Sequence, residues 1–89
     1  MTTQDTFKIV NKAGLAARAA TRFVQTANRF RCRVTVHRDA MEVDGKSIMG
    51  VLGLVAGQGQ DITIVCDGAD AAPCLAALGD LVKSGFDED

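Results

Sequence analysis

Gly14-Leu15-Ala16-Ala17-Arg18 sets a guanidinium two residues after an alanine, where a strand-like segment gives way to a helical pattern. A helix starting here leaves the N–H groups of Ala16, Ala17 and Arg18 without intrahelical acceptors. With Arg18 beside them, they make a ready site for an anion. Ala16 itself has no nucleophilic atom, so no group can be carried covalently on its side chain. The only histidine, His37, falls on the outer face of a strand far along the chain. It lacks the partners that catalysis needs, and is expected to be an exposed strand residue.

Ser47 is the second candidate. It follows Asp44-Gly45-Lys46 and precedes an apolar run, which suits it to cap a short helix through Ile48, Met49, Val51, Leu52 and Leu54. Val51 and Leu54 are expected in the core. Ile48 and Met49, adjacent at a helix start, cannot both turn inward and are expected on a docking surface, where methionine suits several partners. A phosphate on Ser47 would add about −1.5 to −2 charges at a helix N-terminus, a favourable place for it.

Other chemistries find little support. Cys32, Cys66 and Cys74 show no paired spacing and no Cys-x-x-Cys, so no zinc site is expected. Cys32 and Cys66 fall on inward strand positions as small core hydrophobes. Arg29-Phe30-Arg31-Cys32-Arg33 mixes bases with one aromatic, but the formal net charge is −1, and no nucleic-acid binding is expected. The glycines at 50, 53, 57 and 59 lack the Gly-Lys-Ser/Thr ending of a phosphate-binding loop.

The positioning elements follow from periodicity. Phe7 to Val10 reads as a short first strand, broken at Lys12-Ala13-Gly14. Ala20, Phe23, Val24 and Ala27 recur at helical spacing, with Arg18, Arg22 and Gln25 on the other side and Asn28 at the end. From Arg31 the period becomes two: Cys32, Val34 and Val36 point inward, and Arg31, Arg33, Thr35 and His37 outward. Asp39-Ala40 turns into a third strand with Met41 and Val43 inward. Gly57 to Gln60 turns into a fourth, with Ile62, Ile64 and Cys66 inward. Asp70 is expected to cap a last helix, with Pro73 in its first turn and Gly85 at its end. Its stripe is Ala71, Leu75, Leu78, Leu81 and Val82, and Gly79 is expected to weaken it by roughly 1 kcal/mol against alanine. The order β-α-β-β-α-β-α makes an α+β fold: an open-faced β-sandwich, a four-stranded antiparallel sheet with helices on one face.

Eighty-nine residues allow one domain, 1–89, with an aliphatic core lacking Trp and Tyr. The odd cysteine count and the lack of an apolar leader point to a reduced, cytoplasmic setting. No apolar run reaches the length of a membrane span. Bases cluster in the first half, with no acid between Asp5 and Asp39, while the chain closes on Asp87-Glu88-Asp89. That polarity suits steering toward an acidic partner surface.

Two motifs carry a family resemblance. Gly14-Leu15-Ala16-Ala17-Arg18-Ala19-Ala20 resembles the phosphorylation loop of HPr, the histidine phosphocarrier of the bacterial phosphoenolpyruvate-dependent sugar phosphotransferase system. Asp44-Gly45-Lys46-Ser47-Ile48-Met49-Gly50 is similar to the segment around that family's regulatory serine. The resemblance runs from Phe7 to about Lys83 and implies the same open-faced sandwich. It implies that Ala16 occupies the carrier-histidine position, that Ala17 and Arg18 support the phosphate site, and that Ser47 is a kinase target. It further implies a docking surface of Arg18, Thr21, Arg22, Ile48, Met49 and Leu52. The implied partners are enzyme I, sugar-specific acceptor domains and HPr kinase/phosphorylase, with a monomeric chain and no cofactor. Ala16 fits a natural regulatory paralogue in the manner of the Crh proteins, which resemble HPr but lack the carrier histidine. It also fits a substitution introduced into a complete carrier, which the intact Gly-Leu…Ala-Arg frame favours. A regulator of nitrogen or carbon metabolism outside sugar transport is the alternative function.

Overall fold

The computed structural model describes residues 1–88; Asp89, part of the expected acidic end and of the expected 1–89 domain, lies outside them. The elements are β1 (Thr2–Lys8), α1 (Ala17–Ala27), β2 (Arg33–Arg38), β3 (Met41–Asp44), α2 (Ile48–Gly53), β4 (Asp61–Asp67) and α3 (Ala71–Lys83). The four strands form one antiparallel sheet, as the alternation implied, and their order is β1-β4-β2-β3. Val34, Val36, Ile62, Ile64 and Cys66 cover its inner face and meet Ala20, Phe23, Leu78 and Val82 from the helices, all of them buried. The other face is polar, with Thr6 and Thr63 sharing a 2.8 Å hydroxyl hydrogen bond and His37 lying 3.5 Å from Glu42.

The structure departs from the periodic reading at several places. β1 begins at Thr2, well before Phe7, because seven backbone pairs with β4 define it rather than its own polar sequence. Met41 is not inward: it opens an edge strand opposite Arg38 and is 43% exposed. Asp70 stands at the N-cap of α3, but its side chain makes no cap. Both its oxygens instead accept hydrogen bonds, at 2.8 Å each, from the amides of Arg31 and Cys32. Gly79 is buried, and a Cβ there would stand 2.6 Å from the Phe7 ring. Its cost in helix propensity is the condition for α3 to lie close against β1.

Candidate functional site

The loop before α1 is held by its backbone. Gly14 has φ +65°, and a Cβ on it would lie 2.4 Å from the carbonyl oxygen of Ala56. Only glycine fits there. The next residue, Leu15, is buried and donates its amide to that same carbonyl at 2.9 Å. Ala16 is thereby set at the N-cap of α1 in extended conformation, with no side-chain cap and no acidic residue in the first turn. Among the described residues nothing accepts a hydrogen bond from the amides of Ala16, Ala17, Arg18 or Ala19. The helix N-terminus is therefore open, with Ala16, Ala17 and Arg18 exposed around it.

These three residues line an open depression of about 780 Å³ together with Lys12, Ala13, Arg22, Asp87 and Glu88. Lys12, Arg18 and Arg22 bring positive charge to the helix end, which favours a phosphate-sized anion. The acidic pair was not assigned to this site by sequence. Gly85, Phe86 and Asp87 all have positive φ and turn the chain back beneath α1, with Phe86 fully buried. Arg22 donates to the Phe86 carbonyl. Asn11, almost fully buried, donates both to Gly14 O at 2.9 Å and to Glu88 Oε1 at 2.8 Å. One amide group thus ties the loop to the acidic tail, and no linear motif announces that link.

Beside Ala16 lies a smaller apolar depression lined by Ala13, Leu15, Ala16, Leu52, Val55, Ala56 and Gly57. On α2, Ile48 is 37% exposed and Met49 76%, and after it Val55 is 75% exposed, while Val51 and Leu54 are fully buried. Val55 has φ +51°, a strained conformation for a β-branched residue. Thr21, also exposed, donates to the Ala17 carbonyl at 2.8 Å. The structure therefore brings Arg18 and Arg22 to the anion depression, and puts Leu52 in the apolar one with Met49 and Ile48 on the adjoining helix.

Ser47 caps α2, its Oγ accepting from the Gly50 amide at 3.1 Å. The preceding turn is fixed tightly. Gly45 donates to Val34 O at 2.8 Å, Lys46 N to Asp44 Oδ1 at 2.9 Å, and Lys46 Nζ to Phe30 O at 2.5 Å. The serine is partly exposed at the end of this rigid segment. His37 sits on the polar face of the sheet, opposite the helices, and takes no part in the site.

The cysteines give a different picture from their spacing. All three are buried, with their sulfurs within 4.8 Å of one another. Burial pushes the Cys32 thiol up to about 12, and Cys66 and Cys74 up to about 11.

The family model for the PTS HPr component phosphorylation site matches residues 3–84, a span that includes the start of α1. The chain belongs to the HPr family. The phosphocarrier protein HPr of Neisseria meningitidis is 44% identical over 85 residues, 96% of each chain. The crystal structure of HPr-C-His from Thermoanaerobacter tengcongensis superposes with a TM-score of 0.94 at 40% identity, over 98% of each chain. Crh of Bacillus subtilis, the catabolite repression protein crystallised as a swapped dimer, gives 0.76 at 39% identity, over 83% of this chain and 85% of that one. HPr proteins are phosphocarriers rather than enzymes. Among the described residues no helix is long and apolar enough to cross a membrane.

Proposed function

We propose that this chain acts as one HPr-like domain that docks with cytoplasmic proteins of the phosphotransferase system and is regulated at Ser47, without relaying phosphoryl groups through position 16. The observation that carries this reading is the open amide cluster of α1 behind Ala16: a phosphate cradle whose N-cap side chain is a methyl group. Phosphoryl transfer requires a nucleophile within bonding reach, and Ala16 supplies none.

Docking is supported by the adjoining surface. Exposed Met49 and Ile48 offer apolar contact on α2, and Leu52 lines a depression that shares Ala13 and Ala16 with the one bearing Lys12, Arg18 and Arg22. A partner with an apolar centre and acidic rim is complementary to both. That description would suit enzyme I and sugar-specific acceptor domains. Phosphate on Ser47 would place about two negative charges next to Met49 without unfolding α2, because an N-cap position tolerates an anion. Regulation by HPr kinase/phosphorylase would then act on binding rather than on shape.

Likeness to Crh supports a second reading, a regulator that binds other proteins and takes no part in sugar transport. Titration with enzyme I separates the two. A saturable complex supports the transport reading, and no complex at high micromolar concentration supports the regulator. In a parallel assay with HPr kinase and ATP, absence of phosphate on Ser47 would remove the regulatory half of the proposal.

A further inference from the structure

Cys66 lies on β4 opposite Val34, Cys32 precedes the first pair of β2, and Cys74 sits in the first turn of α3. Three separate elements thus deliver three thiols to one point, 0–3% exposed, with all sulfurs within 4.8 Å. We propose that Cys32, Cys66 and Cys74 form a binding site for one trivalent thiophilic ion of the arsenite class, held by three sulfurs. This inference is independent of the anion site at Ala16.

Two arguments select that ion. Coordination is the first. Sulfur donors favour soft ions, and bonds of about 2.3 Å place three ligating sulfurs roughly 3.5–4 Å apart, which asks for small side-chain shifts from the present spacing. Zinc wants a fourth ligand. The carboxylate of Asp70, beside Cys32, is already engaged by two backbone amides, and His37 is on the far face of the sheet. Trivalent arsenic keeps a lone pair in the fourth position and needs no further ligand. Charge is the second. An apolar core strongly disfavours net charge. Three thiolates around a trivalent ion are neutral, whereas the same set around Cu(I) or Zn(II) leaves negative charge among Ile64, Val34 and Leu78.

The reaction balances without a redox step. Arsenous acid, As(OH)₃, exchanges three As–O bonds for three As–S bonds. Each thiol proton leaves with a hydroxyl as water, giving the tris-thiolate and three waters. Entry is through the turn over residues 29–32, where Asp70 alone accepts from the amides of Arg31 and Cys32. Gly68 packs directly on Cys32 from the other side, where a Cβ would come within 2.8 Å. Local opening of this turn exposes Cys32 first.

The test uses the reduced full chain and sodium arsenite, with Cu(I) and Zn(II) as comparison ions. Native mass spectrometry should show one arsenic per chain with loss of three protons, and X-ray absorption should show three sulfurs at the arsenic. Saturating arsenite should raise the melting midpoint by about 5 °C, since the ion binds the folded form. Cys74→Val and Cys66→Val, each checked for native circular dichroism, should weaken binding at least 100-fold. Fewer than three sulfurs, a lowered midpoint, or Cu(I) captured while arsenite is not, would each overturn the assignment. The mass and midpoint measurements need no variant, so a misfolded substitution leaves the test intact.

Discussion

The amide of Leu15 donates to the carbonyl of Ala56 across 2.9 Å, and Gly14 packs on that same carbonyl with no room for a Cβ. One oxygen from the segment after α2 thus fixes the loop that opens the N-terminus of α1. It also joins the anion depression to the apolar depression, since Ala56 lines the latter together with Ala16 and Leu52. The two depressions are therefore held in one fixed relationship.

Gly14→Ala should break that relationship. It combines a left-handed backbone with a contact at 2.4 Å, and strain of this kind costs about 2–3 kcal/mol. Urea unfolding should show that loss, and enzyme I binding should weaken about tenfold as the loop shifts.

At Ser47 the two substitutions Ser47→Ala and Ser47→Asp should separate capping from regulation. Removing the hydroxyl loses the 3.1 Å bond from Gly50 and should cost about 1 kcal/mol of stability. Aspartate keeps a capping oxygen and should leave stability nearly unchanged, while lowering affinity for acidic partners as phosphoserine would. Equal affinity for both variants in calorimetry would contradict a regulatory role for charge here.

Met49 is the most exposed large side chain of α2, at 76%. Met49→Ala should change stability by less than about 0.5 kcal/mol. In an interface centre it should cost about 1–2 kcal/mol of partner binding, a loss of roughly 5- to 30-fold by titration.

Asp70 gives the pH dependence. Hydrogen bonds from the Arg31 and then the Cys32 amide hold its carboxyl below the ordinary value of 3.8. The unfolded chain therefore binds this proton more readily than the folded one. Its stabilisation is complete above the ordinary value and disappears as pH falls through the lower, folded one. Acid titration of Asp70→Asn should show a shallower loss of stability below about pH 4 than the parent chain; identical slopes would contradict this.

Much of the fold was legible because the signals were local. Alternation in Val34, Val36, Ile62 and Ile64, and helical spacing in Ala20, Phe23 and Ala27, report burial directly. β1 and Met41 escape the periodic pattern because edge strands are defined by their partners, which lie more than fifty residues away for β1. Asp70 carried the sequence signature of a cap, but the backbone amides of Arg31 and Cys32 compete for its oxygens. Ala16, Arg18 and Ser47 stood in recognisable motifs. The link from Asn11 to Glu88 did not, since it depends on three consecutive left-handed residues that fold the tail back. The cysteine cluster was hidden for the same reason: linear spacing describes ligands within one loop, and these three arrive from different elements.

The central claim is that the phosphate cradle at α1 is complete apart from the side chain at position 16. Ala16→His, incubated with enzyme I and labelled phosphoenolpyruvate, measures this directly. Acid-labile phosphate is expected on the introduced imidazole of the variant, and none at that position in the parent. A folded Ala16→His variant that takes no label while still binding enzyme I would contradict it.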